Sequence, residues 1–103
     1  MSILKTSCLA SVLALASTTG AVSLAADVAA GEGKSILCSG CHGANGISLT
    51  PDIPNLASQK EAYLVNTMKA FRAGSRKNPM MNSIAQGLSD DDIANLAAYY
   101  ASL

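Results

Sequence analysis

The chain has 103 residues, seven Lys/Arg against seven Asp/Glu, and 50 % hydrophobic residues, for a formal net charge of zero. That length admits one domain, and the even charge balance excludes a nucleic-acid footprint. With no Trp and one Phe, the apolar content is mostly small and aliphatic, so a core made by the polypeptide alone is thin.

Met1 to Ala25 reads as a secretory signal peptide. Lys5 gives a short basic start, Leu9 to Ala16 an apolar stretch, and Ser17-Thr18-Thr19-Gly20 interrupts it. Ser23-Leu24-Ala25 presents small residues at the positions a signal peptidase reads, which places the cut after Ala25. A retained anchor is the competing reading, but the apolar run falls short of the roughly 20 residues that a membrane-spanning helix needs. Cys8 lies in this leader and has no assigned function. Export implies the periplasm and an oxidising compartment. The remaining domain, residues 26–103, carries six Lys/Arg and seven Asp/Glu.

Asp27 to Cys38 is predicted as a first helix, with Asp27 at its N-cap. Ala29, Gly33 and Leu37 repeat at fourfold spacing. Gly33 either punctuates a loop or admits another helix at close range. Then comes Cys38-Ser39-Gly40-Cys41-His42. Beyond the leader, Cys38 and Cys41 are the only cysteines and His42 the only histidine. Two thiols separated by two residues and followed at once by His form the attachment pattern of a c-type haem. Each thiol adds to a vinyl group, and the adjacent imidazole is brought under the iron. The rival readings fit less well. A thioredoxin-like pair needs a βαβ setting, a structural zinc site needs four ligands, and a Cys38–Cys41 disulfide leaves His42 without a role. One covalently held haem also supplies the apolar bulk that the thin core lacks.

Gly43-Ala44-Asn45-Gly46 is a turn. Thr50 to Leu56, with Pro51 and Pro54, is a loop that no helix tolerates. A metal-bound His requires an acceptor for its other ring nitrogen, and the Pro54 carbonyl is the candidate. Ile53 and Leu56 are expected to pack on the porphyrin. Ser58-Gln59-Lys60-Glu61 reads as a capping box opening a second main helix, which runs to Ala73 and stops at Gly74. Leu64, Met68 and Phe71 share one face of it, which makes Met68 a core residue. Ser75 to Gly87 is expected to be a helix-poor loop containing Met80 and Met81. Ser89 caps the last helix, with Asp90, Asp91 and Asp92 at its positive end. Ile93, Leu96, Ala97 and Tyr100 form its apolar stripe, with Tyr99 beside it. Met80 and Met81 are both candidates for the second side of the iron, and chain logic does not choose between them. A Met/His pair suits electron transfer. Lys69, Arg72, Arg76 and Lys77 form a local basic group, either a docking patch or a plain solvated surface.

These residues together resemble the class I cytochromes c, in particular the small soluble bacterial monohaem type, and are similar to one half of certain dihaem cytochromes. The resemblance runs over most of residues 28–103. It is carried by Gly33-Lys34, Cys38 to Gly43, Pro51 to Leu56, Phe71 to Arg76, Met81 to Leu88 and Ser89 to Tyr100. It implies an all-α fold of three main helices and long loops wrapped around one haem c. Cys38 and Cys41 would hold that haem, His42 would be the proximal ligand and Pro54 its orienting carbonyl. The family commonly places the axial Met seven positions before the Leu that precedes the last helix; from Leu88 this indicates Met81 over Met80. The family fold also crosses the first and last helices, which implies Gly33 meeting the Tyr99 region. The first helix here lacks the aromatic residue that many relatives carry. The implied function is a periplasmic electron carrier, not an enzyme, as a monomer or weak dimer. Its redox partners would be a membrane cytochrome complex, an oxidase or a periplasmic dehydrogenase. No nucleic acid is expected, nor stable membrane insertion after cleavage. The alternatives are an electron-transfer subunit of a larger oxidoreductase, or a haem enzyme with an open sixth position.

Overall fold

The computed structural model describes residues 11, 12, 14, 15 and 25–103. The expected leader therefore falls almost wholly outside the described residues. Five helices follow one another: α1 Val28–Lys34, α2 Ile36–His42, α3 Glu61–Ala73, α4 Pro79–Gln86 and α5 Asp90–Ala101. There is no strand among the described residues, and none of their helices is long and apolar enough to cross a membrane.

Asp27 caps α1, its carboxylate accepting from the Ala30 N–H at 3.1 Å. The first helix is not continuous to Cys38, as the sequence suggested. It breaks at Ser35, whose hydroxyl donates to the Glu32 carbonyl at 2.6 Å. A Ser side chain that takes a carbonyl of the preceding turn competes with the helical ladder and bends the helix. The backbone ladder still crosses this point, the Ser35 N–H donating to the Gly31 carbonyl at 2.9 Å and the Ser39 N–H to the Ser35 carbonyl at 3.0 Å.

The α3 helix ends at Gly74 as expected, but it begins without the expected capping box. Its N-cap is Lys60, with no side-chain cap bond. Ser58 instead serves α5: its N–H donates to the Tyr100 carbonyl at 3.0 Å and its hydroxyl to the Leu103 carbonyl. Carbonyls at a helix C-terminus lack partners within the helix, and that demand outweighs a local cap for α3.

Segment 75–87 is not helix-poor. Asn78 accepts from the Met81 N–H at 3.0 Å, Pro79 occupies the first helical position, and α4 runs to Gln86. Pro disrupts a helix interior but suits its first turn, where its missing N–H is not needed.

The core lies where α5 meets α1 and α3. It comprises Leu64, Leu88, Ile93, Leu96, Ala97, Tyr99 and Tyr100, with Cys38, Leu56, Val65 and Met68 packed against it. The predicted stripe of α5 is therefore its buried face. Gly31, rather than Gly33, makes the close approach of α1 to α5. A Cβ on Gly31 would lie 2.0 Å from the Asn95 carbonyl oxygen, whereas one on Gly33 would meet nothing within 4 Å. The expected fourfold row faces outward instead, with Leu37 54 % exposed.

Candidate functional site

The site is built on α2. Its seven residues place Cys38, Cys41 and His42 on neighbouring turns. Cys38 is half-buried, Cys41 is exposed, and both are free thiols. Burial against Tyr100 pushes the Cys38 thiol up, offset in part by a hydrogen bond with the phenol. Burial likewise pushes the Tyr100 phenol well above its ordinary range. Both groups are held neutral, as apolar surroundings require.

His42, buried at the end of α2, has its Nδ1 2.8 Å from the Pro54 carbonyl oxygen. A carbonyl only accepts, so Nδ1 carries a proton, and in the neutral imidazole the lone pair is on Nε2. Local sequence makes this contact possible. Gly46 sits at φ +72° and its carbonyl accepts from the N–H groups of Leu56 and Ala57 at 2.8 and 3.0 Å. A Cβ there would lie 2.9 Å from the Tyr100 ring, so Gly permits both the left-handed turn and the close packing. Asn55 adds a bond from the Ser48 N–H at 2.7 Å. The proline loop is thereby closed against α2 with the Pro54 carbonyl turned to His42.

Across a cleft from α2 stands α4. Leu37, Cys38, Cys41 and His42 line one side and Met80, Met81 and Ile84 the other. Both methionines reach the cleft. They differ in exposure: Met80 is 62 % exposed, whereas Met81 is half-buried. Of the two residues expected on the porphyrin, neither lines this cleft. Ile53 borders a neighbouring recess with Ser39, Gly40, Cys41 and Leu49, and Leu56 packs against the core. Sequence reasoning missed Leu37 and Ile84. It also missed Asn78 and Asn82, which hold α4 in place; the Asn-Pro step before Met80 was the available signal.

The basic group is partly committed to the fold. Arg72 donates to the Leu88 carbonyl at 3.0 Å and to Asp90 at 2.6 Å. The Arg76 guanidinium carbon lies 4.8 Å from the centre of the Phe71 ring. Only Lys69 and Lys77 remain as simple surface cations of the four.

The donor set fits a covalently held haem. Two free thiols and an oriented imidazole share one short helix, thioethers face them, and the cleft between is lined by apolar side chains. No cluster of His, Cys, Asp and Glu among the described residues forms another metal site.

Residues 30–103 match a family model described as Cytochrome c. The chain is 51 % identical over 81 residues to cytochrome c-554(548) of Halomonas halodenitrificans, covering 76 % of this chain and 98 % of that protein. The solved cytochrome c4 of Acidithiobacillus ferrooxidans is 33 % identical with a TM-score of 0.66, over 79 % of this chain and 53 % of that one. A thiosulfate dehydrogenase from Marichromatium purpuratum gives a TM-score of 0.69 at 32 % identity, over 74 % of this chain and 18 % of that one. The chain thus spans nearly all of the first relative, but about half the length of the c4 proteins.

Proposed function

The chain belongs to the cytochrome c family and is an electron-transfer protein rather than an enzyme, and from that premise we propose that it is a periplasmic one-electron carrier holding a single haem c. When bound, the haem supplies a ferric/ferrous couple. In this reading Cys38 and Cys41 are the thioether residues, and His42 and Met81 are the axial ligands. The observation that carries it is the 2.8 Å contact of His42 Nδ1 with the Pro54 carbonyl. That bond fixes the orientation of the ring and favours the tautomer whose lone pair is on Nε2. Met81 is preferred to Met80 because it is the less exposed of two adjacent thioethers. A ligand with less freedom to move into solvent would keep its position better in both oxidation states, which keeps reorganisation small. Leu37 and Ile84 would supply apolar walls on either side of the group. The expected packing of Ile53 and Leu56 on the group has less support, since neither lines the cleft.

The family resemblance to part of a thiosulfate dehydrogenase favours one second reading, an electron-transfer subunit of a larger oxidoreductase. The haem chemistry is the same in both. Purification of the native protein under mild conditions separates them, because a carrier elutes at the size of a monomer or weak dimer and a subunit elutes with its enzyme. Recovery from the periplasmic fraction with an N-terminus at Ala26 tests the export reading.

The ligand assignment is tested by the visible spectrum after expression with a haem-attachment system. Met/His ligation gives sharp low-spin reduced bands and a far-red sulfur-to-iron band when oxidised. Met81→Ala removes the far-red band and Met80→Ala keeps it. The reverse pattern moves the ligand to Met80. A high-spin spectrum in the unsubstituted protein means an open sixth position and defeats the assignment.

A further inference from the structure

We propose that Asn82 is a positioning residue that holds the Met81-bearing turn of α4 against the end of α3, and so keeps the sixth position closed to small ligands. The proposal rests on the assignment of Met81 above. Asn82 is half-buried and its amide makes three bonds. Its Oδ1 accepts from the Asn78 N–H at 2.9 Å. Its Nδ2 donates to the Phe71 carbonyl and to the Arg76 carbonyl, each at 2.8 Å. A side-chain amide offers two donors on one end and an acceptor on the other. All three functions are used here, and the flipped amide would set oxygen against two carbonyls and NH₂ against an N–H.

The arrangement resembles a capping box displaced by one residue. Asn78 bonds the Met81 N–H, which is the usual forward bond from N-cap to third helical position. The return bond to the Asn78 N–H comes from Asn82, one residue beyond Met81. The same amide then reaches past its own helix to both Phe71 and Arg76. One side chain therefore joins the end of α3, the connecting loop and the first turn of α4. Met80 and Met81 lie in that turn, between the residues that cap it. An apolar substitute leaves the Arg76 carbonyl and the Asn78 N–H without partners and the Phe71 carbonyl with only the bond from the Gly74 N–H at 3.2 Å, and partly buried groups in that condition favour an opened loop.

The experiment titrates the ferric holoprotein with imidazole and follows loss of the far-red band, alongside thermal unfolding. Asn82→Ala is expected to bind imidazole about tenfold more tightly than the unsubstituted protein, on the scale of one to two net hydrogen bonds lost from the closed state. Gln86→Ala is the structural control. Gln86 Nε2 makes the other side-chain bond from α4 to α3, to the Arg72 carbonyl at 2.7 Å, one turn away from Met81. It is expected to lower the unfolding temperature while leaving imidazole affinity unchanged. Asn82→Asp is isosteric, keeps the bond from Asn78 and turns the two donor contacts into repulsions, so it gives the same reading if Asn82→Ala does not assemble. An affinity within twofold of the unsubstituted protein, or an equal rise in Gln86→Ala, overturns the proposal while the Met81 assignment stands. Absence of the far-red band from the unsubstituted protein overturns both.

Discussion

Gly31 and Gly33 sit two residues apart in α1 and have opposite environments. Gly31 is buried against the backbone of Asn95, with Tyr99 Cβ 2.9 Å from where its own Cβ would lie. Gly33 faces open space. Gly31→Ala must push α1 off α5 and is expected to cost about 2 kcal/mol or more, as overpacking against a fixed backbone does. Gly33→Ala is expected to stabilise by about 0.5–1 kcal/mol, because Gly in a helix interior loses more backbone freedom than Ala. Guanidinium unfolding of the two holoproteins measures both, and equal effects would show that the helix crossing is not set by Gly31. Fourfold spacing marks a row of small residues in the sequence, but which glycine meets α5 depends on the partners Asn95 and Tyr99, which spacing does not encode. By contrast, the His42–Pro54 contact joins two residues whose chemical needs are each visible in the sequence: a proposed ligand that requires an acceptor, and a loop carbonyl that no helix or sheet claims.

The α5 helix is held by its own start and by two ion pairs to its neighbours. Ser89 Oγ accepts from the Asp92 N–H, and Asp92 Oδ2 accepts from the Ser89 N–H, both at 3.0 Å. Ser89→Ala removes the first bond and is expected to cost about 1 kcal/mol, read as a lower unfolding temperature with an unchanged haem spectrum. The backbone N–H of Ser89 is the main cause holding the Asp92 carboxyl below its ordinary range, with Lys34 of α1 adding an attraction at 3.4 Å. Asp90 is lowered as well, first by its hydrogen bond from Arg72 of α3. A carboxylate with a depressed folded pKa stabilises the native state fully above the unfolded value, about 3.9 for Asp. That contribution is lost as the pH falls through the lower folded value. Stability is therefore expected to decline below about pH 4, and the decline is expected to be shallower in Asp92→Asn. A parallel slope in that variant would assign the acid sensitivity elsewhere. The helix N-termini show how the same signals can mislead. Ser89 acts as its sequence suggests, whereas Ser58, in an equally good local pattern, is taken by the end of α5.

At the scale of the whole molecule the packing is one-sided. Ile93 and Leu96 are the only large side chains fully buried among the described residues. They lie where α5 meets α1 and α3, while α2 and α4 face each other across the cleft and leave Leu37 54 % and Met80 62 % exposed. A domain this small needs a staple, and the proposed covalently held haem would provide one in the cleft between α2 and α4. Cys38→Ala/Cys41→Ala is expected to lose its haem on acid extraction and, once stripped, to show reduced helicity, no sharp thermal transition and binding of a hydrophobic dye. A stripped protein with a cooperative transition near that of the holoprotein would show that the α5 core suffices alone.

Sequence alone carries the family of this protein and the pattern from which its proposed chemistry is read. Cys38 and Cys41 are the only cysteines after Cys8 and His42 is the only histidine of the chain, and their spacing holds whatever the fold does. It also determines that the chain is helical and which stripe of α5 is buried, because these follow from short-range periodicity and capping. Tertiary structure decides what depends on residues far apart in the chain. It selects Gly31 over Gly33 at the crossing, turns Ser58 from α3 to α5, and commits Arg72 to Leu88 and Asp90. It also makes a helix of the methionine segment, because Asn82 finds acceptors at Phe71 and Arg76. Each of these outcomes is a competition for a hydrogen bond or for space in which the winning partner lies outside the local window, and no local pattern records where that partner will be.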